Sequence, residues 1–349
     1  MSSDSSSPST TVWAHEQIHT ALEVERFEVD LFRSKKNLWL PNRARGVFGG
    51  QVISQALVSA TQTVDPAFGL HVRLVLFAAR LPNSCLTMHC YFLLSASATT
   101  PIVYFVERLR DGRSYSTRAV KALQNGRVCF TMLCSFHKPE PWQPTGQWSM
   151  PPDVPAPEKC VLEEVRYAEM LRKAEKEARE GGKGLHPKVA QIYREVIAER
   201  SRSPIAVKSA RELEYMPQSG MVRSMYWFCA RDIPAYEPHF QKCILAYMSD
   251  LYLLGAVSRM LKLERYSKGP NAVSMTSTID HSICFYEDNF DCGDWLLYMA
   301  SPRAAQGRGI VYGQLYTRTG TLVGVTTQEG VVRADRRGPE EATTPSAKL

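Results

Sequence analysis

Residues 47–63 (VFGGQVISQALVSATQT) decide how this chain folds. Val52, Ile53, Ala56, Leu57 and Ala60 recur at helical spacing, which predicts one apolar helix. Strand-like runs follow at 88–94, 102–110, 114–124 and 127–137. Asn125-Gly126 separates the last two runs, and that pair favours a tight two-residue hairpin turn. A helix followed by about four antiparallel strands is an α+β unit, with a twisted sheet wrapped around one long helix.

The same order returns downstream. A strand at 222–230 leads to a helix near 244–261, then to strands at 274–286, 295–301, 310–317 and 322–333, with the turn at Thr319-Gly320. Gly126 and Gly320 are 194 residues apart, His89 and His281 are 192 apart, and Gly50 and Asp250 are 200 apart. Nearly constant offsets imply an internal duplication. Two such units joined edge to edge would cover each other's open strands. The expected division is a disordered tail at 1–15, a repeat at 16–138, a connector at 139–215, a second repeat at 216–334 and a tail at 335–349. The connector opens with a proline-dense stretch, 139–157, that reads as an extended linker. It continues as a charged, solvated helical segment interrupted at Gly181-Gly182.

Composition agrees with two globular units. The chain has 349 residues, of which 44% are apolar and 22% charged, so a collagen-like or wholly disordered chain is excluded. Its net charge of +7 suits an anionic ligand but is too diffuse to demand nucleic acid. Nine cysteines without a CxxC pair read as buried thiols in a reducing compartment, not as a zinc site or a disulfide framework. The Ser/Thr/Pro-rich start lacks the apolar core of a signal peptide, and no apolar run approaches membrane-helix length. The chain ends Ala347-Lys348-Leu349, close to the Ser-Lys-Leu peroxisomal address, after a polar stretch that would present it to an import receptor.

Three places carry candidate chemistry. Asp250 lies among apolar residues at the expected start of the second helix, either as a first-turn carboxylate or as a base aimed into a pocket. The string 278–285 (TIDHSICF) holds Thr278, Asp280, His281 and Ser282. Strand alternation places Thr278, Asp280 and Ser282 on one face and His281 on the other, which argues against a Ser-His-Asp triad. His281 then reads as a core histidine. Gln328 sits late in an apolar strand, where an amide must be hydrogen-bonded. Its counterpart at the 194 offset is Cys134, and Asp250 falls opposite Gly50 or Gln51, so only the second repeat carries the polar set.

The strings LFR (31–33), VFGGQVISQAL (47–57), HCYF (89–92), SDLYLLG (249–255), TIDHSICF (278–285) and TQEGVVR (327–333) together resemble the acyl-CoA thioesterase II family over about residues 16–334. The resemblance implies a double hotdog fold and metal-free, cofactor-free hydrolysis of fatty acyl-CoA, with coenzyme A as part of the substrate. It implies Asp250, Thr278 and Gln328 as the catalytic set that holds and polarises a water, and association into homo-oligomers. Gly49 and Gly50 would admit a ligand or pack a helix tightly. Arg308 is a candidate for the coenzyme A phosphates beside its reading as a plain surface arginine. A hotdog hydratase would want an Asp and a His five residues apart at a helix start, and neither helix has them; a noncatalytic acyl-CoA binding protein is the alternative from another class. The sequence departs from the family at 73–87 (RLVLFAARLPNSCLT), about thirteen residues in excess, read as a surface insertion or as translation of an unspliced in-frame intron.

Overall fold

The computed structural model describes residues 15–35, 38–42, 44–64, 84–138, 142–217, 220–264 and 269–335. The first repeat contains α1 (Ile18–Leu22), β1 (Val24–Glu28), β2 (Leu31–Ser34), α2 (Gly49–Thr61), β3 (Ser84–Phe92), β4 (Val103–Asp111), β5 (Tyr115–Gln124) and β6 (Arg127–His137). Two helices follow, α3 (Glu163–Arg179) and α4 (Pro187–Arg202). The second repeat contains β7 (Ile205–Met216), β8 (Met221–Ala230), α5 (Pro238–Ser249), α6 (Leu253–Met260), β9 (Val273–Phe285), β10 (Leu296–Ala305), β11 (Arg308–Tyr316) and β12 (Leu322–Ala334).

One twelve-stranded sheet runs β1-β2-β4-β5-β6-β3-β9-β12-β11-β10-β8-β7. Read from each outer edge inward, the two halves have the same order. They join where β3 pairs antiparallel with β9, His89 lying opposite Ser282. This is a double hotdog, with the expected edge-to-edge junction. Asn125 and Gly126 both take positive φ (49° and 73°), as a two-residue hairpin turn requires.

Helix α2 is buried almost all round. Such a helix must tie down its polar groups. Ser54 Oγ donates to the Cys243 carbonyl of α5 at 2.9 Å, the Gln51 and Gln55 amides donate to the Ala21 carbonyl at 2.9 and 2.8 Å, and the Tyr104 hydroxyl donates to Gln55 Oε1 at 2.8 Å. The main core fills the space between the sheet and these helices. A smaller cluster of Met225, Trp227, Leu297, Met299, Tyr316 and Leu322 is covered by Met150 and Val154 of the proline-dense stretch.

The structure revises several expectations. The proline-dense stretch is docked: Gln147 Nε2 donates to the Gly320 carbonyl at 2.7 Å, and Trp227 Nε1 donates to the Pro155 carbonyl at 2.8 Å. The second repeat's sheet begins at Ile205 and not at residue 216, because the run from Ile205 to Met216 pairs with β8. Strands β1, β2 and β7 were not expected, since β1 and β2 are short and burial along β1 and β7 does not alternate. The landmark pair His89 and His281 is out of register. Met88 faces Cys134 as His281 faces Gln328, so Met88 is the counterpart of His281, while His89 is exposed on the other face. Met88 and His281 are 193 apart, as are the cross-strand positions Arg118 and Val311. That offset belongs to the strands after the excess segment; α2 and α5 are thirteen and twelve residues long, so Asp250, which caps α5, corresponds to the end of α2 and not to Gly50.

The helix expected near 244–261 is broken in two. Asp250 is therefore at the C-terminal end of α5, not at a helix start. Residues 73–83 of the excess segment lie outside the described residues, as do residues 1–14 and 336–349 of the expected tails, including Ala347, Lys348 and Leu349. Residues 84–87 belong to β3.

Candidate active site

The break in the second helix creates the site. Asp250 caps α5, two residues before Tyr252, which adopts a left-handed backbone (φ 64°). The carboxylate of Asp250 is thereby turned toward the first turn of α2 and accepts a hydrogen bond from the Gly50 backbone N–H. Both glycines of the Gly49-Gly50 pair are required by this contact. A Cβ at Gly49 would lie 2.7 Å from Asp250 Oδ2, and a Cβ at Gly50 would lie 2.6 Å from the Tyr247 carbonyl oxygen of α5.

Thr278 reaches the same point through a β-bulge. On β9, Asp280 faces Glu329 and Thr278 faces Gly330, so Ile279 is an extra residue. The bulge reverses the side-chain alternation, and Thr278 shares the inner face with His281 and Gln328. The expected grouping of Thr278 with Asp280 and Ser282 is thus corrected. Repeat one has the same bulge at Leu86, with Cys85 in the place of Thr278.

Gln328 is fully buried. Its Nε2 donates to Asp250 Oδ1 and, at 3.0 Å, to Thr278 Oγ1. Thr278 also hydrogen-bonds the Asp250 carboxylate. The structure therefore brings Asp250, Thr278 and Gln328 into one hydrogen-bonded cluster against the start of α2. Burial pushes the Asp250 carboxyl up to about 6, and the hydrogen bonds from Gln328, Gly50 and Thr278 partly offset that rise. A carboxylate with such a value is ionised at neutral pH and basic enough to take a proton.

His281 stays out of this cluster. Its Nε2 is 2.8 Å from Ser249 Oγ, and burial pulls its pKa down to about 3, so the ring is neutral. Sequence reasoning missed the group that fixes the end of α5. The Tyr298 hydroxyl is 3.0 Å from the Ser249 carbonyl, to which it donates, and 2.8 Å from Thr326 Oγ1. No local spacing signals that contact, because Ser249 and Tyr298 meet only after β10 is laid in the sheet.

Arg308 is not brought to the cluster. It lies on the outer face of the sheet and pairs with Glu329 at 2.9 Å. In the first repeat Cys134 replaces Gln328, Cys85 replaces Thr278 and α2 contains no acid, so the polar set occurs once among the described residues. No group of His, Cys, Asp and Glu able to hold a metal ion occurs among the described residues. No helix among them is long and apolar enough to cross a membrane.

This architecture and this chemistry define a double-hotdog thioester hydrolase. The acyl-CoA thioesterase N-terminal domain family matches residues 37–137, and the acyl-CoA thioesterase C-terminal domain family matches residues 171–332. The chain is 32% identical to acyl-coenzyme A thioesterase 8 of Mus musculus, over 90% of this chain and 88% of that protein. It is also 32% identical to acyl-CoA thioesterase 2 of Haemophilus influenzae, over 83% of this chain and 88% of that protein. A crystal structure of an acyl-CoA thioesterase II from Mycobacterium marinum superimposes with a TM-score of 0.63 at 28% identity, covering 91% of this chain and 97% of that one. The chain belongs to the acyl-CoA thioesterase II family, and it is an acyl-CoA thioester hydrolase.

Proposed function

We propose that this chain hydrolyses fatty acyl-CoA through a water held by Asp250, Thr278 and Gln328. The observation that carries the reading is the cluster itself: one buried amide donates to both the carboxylate and the hydroxyl. Asp250 takes a proton from the water as its oxygen attacks the thioester carbonyl. Thr278 and Gln328 orient that water and keep the carboxylate fixed. The positive end of the α2 dipole, where the Gly50 N–H already holds Asp250, offers charge stabilisation to the oxyanion that forms. Collapse of the tetrahedral intermediate breaks the carbon–sulfur bond, and the proton on Asp250 passes to the departing thiolate. The products are the free fatty acid and coenzyme A.

The test is thiol release from acyl-CoA esters of graded chain length, with wild type beside Asp250→Asn. Rapid release by wild type that collapses in the variant is expected; equal turnover by the two would refute the assignment. We further propose residence in peroxisomes through an import receptor that reads Ala347-Lys348-Leu349. Assembly into homo-oligomers is supported by Phe105, Leu133 and Tyr91, which are exposed on the outer face of the first repeat's sheet.

A further inference from the structure

Tyr252 is one of six non-glycine residues with positive φ among the described residues, and it stands two positions after Asp250. A bulky side chain in the left-handed region is strained and persists only where its surroundings hold it. Neither Gly nor Pro explains the break at this point, so the hold must come from elsewhere in the molecule. It comes from the connector. The Tyr252 hydroxyl donates to Glu163 Oε2, at the first residue of α3. The Arg200 guanidinium of α4 lies 5.9 Å from the centre of the Tyr252 ring. Both Glu163 and Arg200 are buried, at 5% and 6% exposure, although they belong to helices that are otherwise mostly solvated. On the inner side the ring packs 5.3 Å from Tyr226, centre to centre.

Arg200 also reaches the other wall of the site. Its guanidinium lies 5.5 Å from the centre of the Trp39 ring. Trp39 is tied to the start of α2 twice: its carbonyl accepts from the Phe48 N–H at 2.9 Å, and its N–H donates to Gln51 Oε1 at 2.8 Å. One buried cation therefore stands between Tyr252, two positions after Asp250, and the residue that braces the Gly49-Gly50 turn. Glu199 holds that cation from α4 at 2.8 Å and accepts from the Asn42 N–H at 2.8 Å.

We infer that Glu163 and Arg200 of the connector are positioning residues for hydrolysis: they clamp Tyr252 in its left-handed conformation and so set the Asp250 carboxylate against the first turn of α2. This inference rests on the reading of Asp250 as the general base. It gives the connector a part in turnover, which a solvated spacer would not have.

The experiment compares Glu163→Gln, Tyr252→Phe and Asp250→Asn in the full chain, with thermal melts and circular dichroism as the check on folding. Glu163→Gln and Tyr252→Phe should each lower kcat about 10- to 100-fold, the scale on which small misplacements of a catalytic group act, with KM nearly unchanged. A double variant, Glu163→Gln with Tyr252→Asn, should recover part of the lost kcat, because Asn adopts the left-handed region at low cost. A general packing defect would not be rescued by a smaller side chain. Wild-type kcat in folded Glu163→Gln, alongside an inactive Asp250→Asn, overturns the inference alone. A fully active Asp250→Asn overturns the underlying reading as well. If Glu163→Gln is impaired and the double variant is no better, the route through the Tyr252 backbone is refuted.

Discussion

The carboxylate of Asp250, at the end of the second repeat's α5, accepts a hydrogen bond from the backbone N–H of Gly50 in the first repeat's α2. The candidate base and the helix terminus that faces it thus come from different repeats, and the site exists only when both are folded and joined. Gly49 and Gly50 make the approach possible in different ways, which separates two outcomes. In Gly49→Ala the new methyl would meet Asp250 Oδ2 at 2.7 Å and the Phe92 ring at 3.0 Å. Side chains yield, so the expected effect is a kcat lowered about 10- to 100-fold with little loss of stability. In Gly50→Ala the methyl would meet the Tyr247 carbonyl oxygen at 2.6 Å, and backbone does not yield cheaply. That variant should lose about 1–3 kcal/mol of stability in denaturant melts, the usual scale of overpacking. Equal melts for the two variants would show that α2 and α5 can separate without cost.

Asp250→Asn tests base and stability together. Turnover should fall at least about 100-fold, the lower end for a general base. Folding should be retained, and the sign of the stability change follows from the raised pKa. The ordinary Asp value is 3.8, and the folded value is about 6. The protonated form is therefore favoured by folding, and its contribution is complete below about pH 4 and lost as pH rises through about 6. At pH 8 wild type carries a desolvation cost of no more than about 3 kcal/mol that a neutral amide avoids. The variant should thus gain on wild type in chemical denaturation at pH 8, and that gain should shrink at pH 4. A gain of equal size at both pH values would show that the carboxyl does not titrate in this window.

Deleting Ala347, Lys348 and Leu349 from an amino-terminally tagged chain should leave it in the cytosol, as fluorescence microscopy would record. Unchanged peroxisomal import would place the address elsewhere in the chain or on a partner.

The repeat was legible because its signals are local. The apolar periodicity of α2 and the turns at Asn125-Gly126 and Thr319-Gly320 each depend on neighbours in sequence. What was not legible depends on the assembled sheet. The bulge at Ile279 shows only in how β9 pairs with β12, and nothing in TIDHSICF marks it. Strict alternation therefore sent Thr278 to the wrong face. The break after Asp250 has no Gly or Pro to announce it, since Tyr252 is held in place by α3 and α4, which are distant in sequence. Asp250 stood out as an acid in an apolar run and Gly49-Gly50 as a close-approach pair, yet their contact across the repeat junction was not legible. Cys134 was legible as the counterpart of Gln328 from the 194 offset, but Cys85 as the counterpart of Thr278 is visible only once the bulged strands are in register.

The pH dependence of kcat/KM gives the sharpest check on the cluster. Asp250 must be ionised to take a proton, so activity should fall tenfold per unit below about pH 6, where its carboxyl titrates. Gln328 donates to the ionised form and so holds that pKa lower than burial alone would leave it. Gln328→Leu removes the donor while keeping the site apolar. The acid limb should then move to higher pH, and the plateau kcat should fall more than acyl-CoA affinity. Thr278→Val should shift the limb in the same direction, because its hydroxyl is the other side-chain donor to Asp250. An acid limb that stays put in both variants would mean that another group sets it. A loss confined to affinity would make Gln328 a binding residue and not one that orients the water.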